Sequence, residues 1–467
     1  MGKLSKLWPL LTAGILATAM ASLAKTRVSA ATALSVSRAG GIHAGLGNGR
    51  QTQEYPVQAD HAAWREFLSA TPRVPECFGV NIHFTQPRPG EMRMLAAAGF
   101  HWIRMDFGWS ATERVKGHYD FRAYDHLLAA LERYHIRPLW ILDYGNPLYD
   151  HGLAPATPAA RRAFCRWVAA AVRHFRGHGI IWEMWNEPNS SFWIPRPNAR
   201  AYSKLALAVG QTIRRVAPRE LYVGPALGGI DRMSFLHQCL QAGVLKYFDA
   251  VTIHPYMRPE TVIPVYRKIK TLIARYEPPG RKIPIISSEW GASSRWVKSN
   301  DAIQARYLAR ELLVNLYQGI PLSIWYDWHN DGSNPKNSED HFGLVYFTYH
   351  PGRNPIYRPK PAYLAVRTLA TQLAGCRFVK RIKIGGADNY VLLFHGPKGN
   401  RIAAWTTSRH AHAVVLPLLS GRYRITNETG TKMRTILARA NKIHLSLSHD
   451  PQYIRKRTMA FTNRTHP

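Results

Sequence analysis

Eight short apolar segments recur along the chain, and segments with helical spacing separate them. The eight are FGVNIHF (78–84), HWIRMDF (101–107), RPLWILDY (137–144), IIWEMWNE (180–187), LYVGPAL (221–227), AVTIHPY (250–256), IPIISSEW (283–290) and LSIWYDW (322–328). Each is apolar along most of its length, which is typical of parallel strands that are covered on both faces. Eight strands that alternate with helices over about 300 residues favour a closed (β/α)8 barrel over an open doubly wound sheet.

The segments between the strands carry clear helix signals. The clearest helix follows Thr157 and Pro158, a pair that is typical of a helix start. Apolar residues then repeat at helical spacing, and Gly177 predicts the end of the helix.

A change of pattern near residue 374 indicates a second domain. From there on, short β-like segments such as YVLLFHG, RIAAWTT and KIHLSLS alternate with turns rich in Gly, Asn and Asp. This pattern predicts a small antiparallel β-sandwich over 374–467, after a barrel over 73–373. Residues 31–72 are small and polar and are interpreted as a linker.

The N-terminus has the pattern of a secretory signal peptide. Lys3 and Lys6 precede the apolar stretch LWPLLTAGILATAMASLA, which ends in small residues. We expect residues 1–30 to contain this signal peptide, with cleavage between Ala19 and Ala30. The mature protein is then expected to be periplasmic or extracellular. An uncleaved membrane anchor is the alternative. No later stretch is apolar enough to cross a bilayer, so no stable membrane insertion is expected after cleavage.

The formal net charge of +33 arises from scarce acids more than from abundant bases. The 62 Lys and Arg residues are an ordinary share, whereas the 29 Asp and Glu residues are about half of what average composition implies. This imbalance fits an exported protein in an acidic medium, where surface carboxylates would be neutralised. An anionic polysaccharide partner is the competing interpretation. Nucleic acid is not expected as a partner, because no known binding module accompanies the charge.

The four cysteines are too sparse for a disulfide scaffold. They lie far apart in the sequence, without a CxxC pair or zinc-type spacing. We interpret them mainly as packing residues, and a single bridge stays open.

Two glutamates close predicted strands and predict a reactive pair. Glu187 ends the fourth strand and Glu289 ends the seventh. Active sites of (β/α)8 barrels form at the C-terminal ends of the strands, so these two side chains are expected to face each other across the barrel mouth. Cleavage of a glycosidic bond needs such a pair, one acid to protonate the leaving oxygen and one carboxylate to attack the anomeric carbon.

These motifs resemble those of the clan-A retaining glycoside hydrolases. The motif WNEPN (185–189) with a later strand-end glutamate in SSEWG (287–291) is the signature pair of this clan. Further similar motifs are WIRMDFGW, TERVKGHYDF, VTIHPY, IWYDWHNDG, HFGLVY and KPAYLAV. Together they are similar to xylosidase- and iduronidase-type enzymes, and more so to bacterial exopolysaccharide-associated endoglycosidases with a C-terminal β-domain. The resemblance spans about residues 78–454.

The resemblance assigns expected roles to individual residues. It implies that Glu187 is the general acid/base and Glu289 the nucleophile, without cofactor or metal. Asn186 would bind the sugar hydroxyl beside the reacting carbon, and Arg104 would keep the nucleophile ionised. His254 and Tyr256 on strand six would orient the nucleophile and line the subsite, and Trp325 or Trp328 would form an aromatic floor. From their places near the strand ends, His83 and Trp109 are further candidates for substrate contact.

Other acids near the strand ends have structural explanations. Glu183 lies four residues before Glu187, and we expect it to be a buried partner of Arg104 or a neighbour. Asp106, Asp143 and Asp327 are expected to bind loops or a subsite.

The sequence thus predicts an exported retaining glycosidase that acts on a β-linked polysaccharide. The resemblance implies a bacterial exopolysaccharide as substrate and the exopolysaccharide secretion machinery as a partner. Two alternatives stay open: a β-xylosidase or cellulase that acts on plant polymers, and a non-catalytic glycan-binding component of a secretion complex.

Overall fold

The computed structural model describes residues 66–230, 233–296 and 298–457. The predicted signal peptide and most of the predicted linker lie outside the described residues. Within the described ranges, no helix combines the length and the apolar character needed to cross a membrane.

Eight parallel strands form a closed barrel in which each strand pairs with its neighbours in chain order. They are β1 (Phe78–Asn81), β2 (Trp102–Gly108), β3 (Arg137–Asp143), β4 (Ile181–Met184), β5 (Leu221–Gly228), β6 (Ala250–His254), β7 (Ile285–Gly291) and β8 (Ser323–Tyr326). All eight lie within or beside the predicted segments, and β1 pairs with β8 to close the barrel. The predicted (β/α)8 barrel is confirmed.

Helices cover the outside of the barrel. They span Glu91–Ala98, Trp109–Thr112, Arg122–Glu132, Pro158–His174, Ala199–Val216, Ser234–Gln241, Val262–Ala274, Asp301–Gln318 and Pro361–Gln372. Short 3₁₀ turns span Asp150–Gly152, Val244–Lys246, Pro259–Thr261 and Ser338–His341. The Thr157 hydroxyl caps one helix as predicted, because it accepts a hydrogen bond from the Ala160 amide at 3.2 Å.

The C-terminal region is antiparallel, as predicted. Two short strands, β9 (Val345–Tyr349) and β10 (Tyr357–Pro359), pair before the last barrel helix. A six-stranded sheet then runs in the order β11 (Arg377–Arg381), β12 (Asn389–Gly396), β13 (Gly399–Thr406), β18 (Gln452–Lys456), β15 (Gly421–Asn427) and β16 (Met433–Ala438). Strands β14 (His412–Pro417) and β17 (Lys442–Leu447) form a second sheet. Residues from both sheets, such as Ile425 and Leu445, share one apolar core, so the two sheets form a sandwich.

The four cysteines are all free thiols, and three of them are buried. Burial raises the pKa of the Cys239 thiol to about 12. These thiols therefore serve packing, in agreement with the main interpretation from the sequence.

A buried ion pair joins the C-terminal sheet to the barrel. Glu260 accepts hydrogen bonds from Arg310 Nε and from the Trp405 indole nitrogen, each at 2.7 Å. The side chains of Glu260 and Arg310 are 8% and 11% exposed. Trp405 belongs to β13 and Arg310 to the helix Asp301–Gln318, so one carboxylate fixes the sheet against the barrel.

We expect Glu260→Gln to lower the free energy of unfolding by about 3 kcal/mol, because removal of one partner leaves the other charge buried without its counter-ion. Chemical denaturation followed by tryptophan fluorescence measures this change. Asp120→Asn is the matched control, since it removes a carboxylate from the exposed pair with Arg122 and should change stability little. Equal effects of the two substitutions would contradict the structural role of Glu260.

Candidate active site

The structure brings Glu187 and Glu289 together at the C-terminal rim of the barrel. Glu187 follows β4, Glu289 lies in β7, and one oxygen of each carboxyl lies within 4.8 Å of the other. Their side chains are 15% and 12% exposed, so both reach one open pocket. Carboxyl groups in retaining glycosidases lie about 5–5.5 Å apart, against about 6.5–9.5 Å in inverting enzymes. The upper limit of 4.8 Å is below the inverting range and closer to the retaining one.

The backbone around Glu187 is held in an unusual conformation. Glu187 has a φ of 45°, in the left-handed region that side-chain-bearing residues rarely occupy. Its amide donates to the Ala226 carbonyl at 3.0 Å, which ties the residue to β5. A Cβ at Gly228 would lie 2.3 Å from Glu187 Cδ. The carboxyl therefore needs glycine beside it, and the strain is typical of a functional position.

Arg104 connects the candidate nucleophile to the barrel interior. Its side chain is 1% exposed, and its Nε donates to Glu183 at 2.6 Å. Its two terminal nitrogens donate to Glu289 at 2.7 Å and to the Asn186 side-chain oxygen at 2.9 Å. Glu183 is fully buried, so it is the structural partner of Arg104 that the sequence predicted.

Glu289 is stabilised as a carboxylate. Burial alone would raise the pKa of the Glu289 carboxyl, but His254, when its ring is charged, the Arg104 guanidinium and a hydrogen bond from Tyr256 hold that pKa below its ordinary value of 4.5. The Tyr256 hydroxyl donates to Glu289 Oε1 at 2.7 Å. An ionised carboxylate is the form that can attack a carbon atom.

His254 lies behind both carboxyl groups. Its Nδ1 is 2.9 Å from Glu187 Oε1 and 3.8 Å from Glu289 Oε1, and its Nε2 is 3.3 Å from an Arg104 nitrogen. In the neutral ring, Nε2 accepts from the guanidinium, which can only donate, and Nδ1 carries the proton that is donated to Glu187. Because His254 is fully buried, its place fits the predicted role in orienting the nucleophile. The predicted contact with the sugar is not supported.

Two further residues contact this site, and neither was among the predicted catalytic or substrate-binding residues. The Asn81 side-chain nitrogen lies 3.5 Å from Glu289 Oε2, and the Tyr144 hydroxyl accepts a hydrogen bond from the Asn186 amide at 2.9 Å. Both stand near the ends of predicted strands. A buried Asn in the otherwise apolar segment FGVNIHF was the available signal for Asn81.

The predicted aromatic floor is wrong for the two residues proposed. Trp325 is 0% and Trp328 is 1% exposed, so neither presents a face to a sugar. The Trp328 indole instead donates to Glu91 at 2.9 Å. Tyr326 between them is partly exposed, and its ring packs edge-on against His83 at 5.5 Å. Tyr326 is therefore the aromatic residue of this strand that faces the pocket.

Trp109 also belongs to the core rather than to the pocket. It is 0% exposed and stacks on Tyr149 at 4.9 Å. Its indole nitrogen donates to Glu113 at 2.5 Å. The prediction of substrate contact by Trp109 is wrong, because its ring is enclosed on all sides by protein.

His83 is exposed and lies beside further acids, and its predicted contact with substrate stays a prediction. Its side chain is 42% exposed, and its Nε2 lies 3.5 Å from the Asp327 carboxylate. Partial burial would lower the pKa of His83, but the hydrogen bond to Asp327 and the charges of Asp331 and Asp106 raise it to about 9.

Two groups of side chains in the described residues bring three potential metal ligands within 4.8 Å of one another. They are Glu187, His254 and Glu289, and His83, Asp327 and Asp331. In the first group, protein hydrogen bonds already hold each member in place. The expectation of a reaction without metal stays a prediction.

Comparisons with known proteins agree with this geometry. No family model matches the chain. A solved family 39 glycoside hydrolase from Bacteroides cellulosilyticus superposes with a TM-score of 0.70 and 27% identity, over 82% of this chain and 81% of that one. The chain is similar to the clan-A glycoside hydrolases. The resemblance that the sequence motifs indicated is confirmed, and these relatives support a glycosidase.

Further relatives are more distant. A monomeric β-xylosidase from Caulobacter crescentus shares the fold, with a TM-score of 0.60 and 17% identity over 82% of this chain and 97% of that one. A curated β-xylosidase from Geobacillus stearothermophilus is 25% identical over 240 residues, which are 42% of this chain and 46% of the relative. The match thus spans about half the length of that relative.

We expect Trp328→Phe to lower the free energy of unfolding by about 1–3 kcal/mol, because the buried Glu91 carboxylate loses a hydrogen-bond donor. The same variant should bind glycosides as the wild type does, since the ring does not face the pocket. Denaturant unfolding and a glycoside titration measure the two quantities. If Trp328→Phe weakened sugar binding and left the stability unchanged, the predicted stacking of a sugar on Trp328 would be correct after all.

Proposed function

We propose that this protein is a retaining glycoside hydrolase that cleaves β-linked glycans by double displacement. The observation that carries the proposal is the spacing of Glu187 and Glu289 in one open pocket, with Arg104 and Tyr256 directed at Glu289. The similarity to glycosidases at 27% identity supports the same class of reaction.

In the first step, Glu289 attacks the anomeric carbon while Glu187 gives its proton to the leaving oxygen. The bond from carbon to the leaving oxygen breaks with its electron pair on that oxygen, and a glycosyl ester to Glu289 forms. Asn186 is placed to bind the neighbouring sugar hydroxyl, because Arg104 and Tyr144 fix its amide beside the pair.

In the second step, water releases the sugar. Glu187, now a carboxylate, takes a proton from water, and the resulting hydroxyl attacks the anomeric carbon. The ester bond breaks, Glu289 leaves as a carboxylate, and Arg104 and Tyr256 stabilise its returning charge. The two inversions restore the original configuration at the anomeric carbon.

For the natural substrate we propose an exopolysaccharide of the producing organism, met after export of the enzyme. Support comes from the motifs shared with exopolysaccharide-associated endoglycosidases and from the N-terminal signal pattern. A β-xylosidase is the second candidate, because two similar proteins carry that name. Assays against the producer's own exopolysaccharide, xylan and cellulose distinguish the two substrates. Hydrolysis of plant polymers alone would contradict the exopolysaccharide proposal.

The two glutamates should respond differently to the leaving group. Glu289→Gln removes the attacking atom, so turnover should be lost with every aryl β-glycoside. Glu187→Gln removes the proton donor, and we expect a loss of about 10²–10⁴-fold in kcat/KM for poor leaving groups and a smaller loss for nitrophenolates, which need no proton. Steady-state kinetics across a series of leaving groups measures this contrast. Wild-type turnover by Glu289→Gln would contradict the assignment and favour a non-catalytic glycan-binding role.

The acid limb of the pH profile should follow Glu289. Because the pKa of this carboxyl lies below 4.5 and its ionised form is required, kcat/KM should persist below pH 4.5 and fall only at lower pH. Tyr256→Phe removes a hydrogen bond that favours the carboxylate, so the limb should move to higher pH. Tyr134→Phe, at an exposed tyrosine, is the control and should leave the profile unchanged. An acid limb unmoved by Tyr256→Phe would show that another group governs it.

A further inference from the structure

Acidic side chains gather on the Glu289 side of the pocket, in a chain where acids are scarce. Four of the chain's 29 acidic residues fall within residues 327–340: Asp327, Asp331, Glu339 and Asp340. Asp340 has a structural role, since it accepts hydrogen bonds from the Asn334 amide at 2.9 Å and the Asn337 side chain at 2.6 Å. We call Asp327, Asp331 and Glu339 the acidic wall.

Asp327 is the acid of this wall whose protein contacts least explain it. It is 0% exposed, and apart from the His83 contact neither of its carboxylate oxygens accepts a hydrogen bond within the described residues. Its cationic contact is His83, at 3.5 Å. One oxygen of Glu339 is likewise buried without a hydrogen bond. A buried carboxylate with so few donors is costly, so a further donor that reached this site would be stabilising.

The acidic wall and the catalytic pair border one pocket. Tyr326, which is partly exposed, lies between them: partial burial and the charges of Asp327, Asp331 and Glu289 raise the pKa of its hydroxyl. His83 in turn lies close enough to Glu289 to lower the pKa of that carboxyl. A sugar that occupies the pocket beside Glu289 therefore comes within reach of the wall.

Mutual repulsion indicates the charge of the missing donor. One carboxylate oxygen of Asp327 lies within 4.8 Å of one of Asp331, so the two charges repel each other at close range. A cation would relieve this repulsion, whereas a neutral hydroxyl would not. An organic cation is favoured over a metal ion because, under the proposed function, the ligand beside Glu289 is a sugar.

We propose that the acidic wall forms a subsite for a protonated amine, so that the glycan carries a free amino sugar next to the scissile bond. This inference rests on the proposed function and names its substrate class. An ammonium group offers three N–H donors, and carboxylates only accept. The basic charge of the chain as a whole therefore does not imply an anionic substrate.

The test is calorimetric titration of the full chain with matched methyl β-glycosides. Each set comprises a 2-amino sugar, its N-acetyl form and the parent hexoside, in the gluco, galacto and manno series. In at least one series the free amine should bind about tenfold tighter than both neutral members, the gain of one charge-assisted hydrogen bond. Asp331→Asn should abolish this preference and leave the fold intact, since Asp331 lies in an exposed loop. Asp120→Asn, the matched control, should keep the preference.

Three results would overturn the subsite. The first is that the amine binds no tighter than the neutral sugars in every series. The second is that the preference for the amine survives Asp331→Asn. The third is that the protein shows no amine preference but binds Ca²⁺ or Mn²⁺ in a way that Asp331→Asn removes. The proposed function is judged separately, by hydrolysis of neutral aryl β-glycosides and its loss in Glu289→Gln. Hydrolysis without amine preference would retain the enzyme and reject the subsite. Amine preference without hydrolysis would do the reverse.

Discussion

A single buried guanidinium organises the centre of this barrel. Arg104 is 1% exposed, so its charge can be kept only with anionic partners close by. Glu183 and Glu289 supply them from two other strands, and the planar fork gives each a separate N–H group. A lysine at this place would offer one point charge instead of a fork. The position of the candidate nucleophile therefore depends on a residue of β2 that need not contact a sugar.

The two carboxylates that share this cation differ in access to solvent. Glu183 is fully buried and accepts only from inside the barrel, whereas the Glu289 side chain is 12% exposed and accepts a further bond from Tyr256. The apolar segment around Glu183 thus contains an acid because the Arg104 guanidinium in the core needs a counter-ion. Glu187, four residues later, has left the strand through a left-handed backbone turn and reaches the pocket instead.

The strands and the pair of glutamates were predictable because their signals are local: apolar segments of strand length and an acid at a strand end. The direction in which each side chain points at the barrel rim could not be predicted. A parallel strand is covered on both faces, so IWYDW does not reveal that Tyr326 faces the pocket while Trp325 and Trp328 face the core. The burial of His254 behind both acids likewise depends on β4, β6 and β7 meeting in space.

The scarcity of acids makes the place of each one informative. Several buried acids have a clear structural donor: Glu91 with Trp328, Glu113 with Trp109, Asp249 with Arg214 and Glu260 with Arg310. Asp143 and Asp327 depart from this pattern, since both are 0% exposed and lack well-formed hydrogen bonds to their carboxylate oxygens within the described residues. At Asp327, the contact with His83 at 3.5 Å takes the place of such a donor. A buried carboxylate that is short of donors lowers the stability of the fold, and such a cost is typical of a group whose further partner arrives with the ligand.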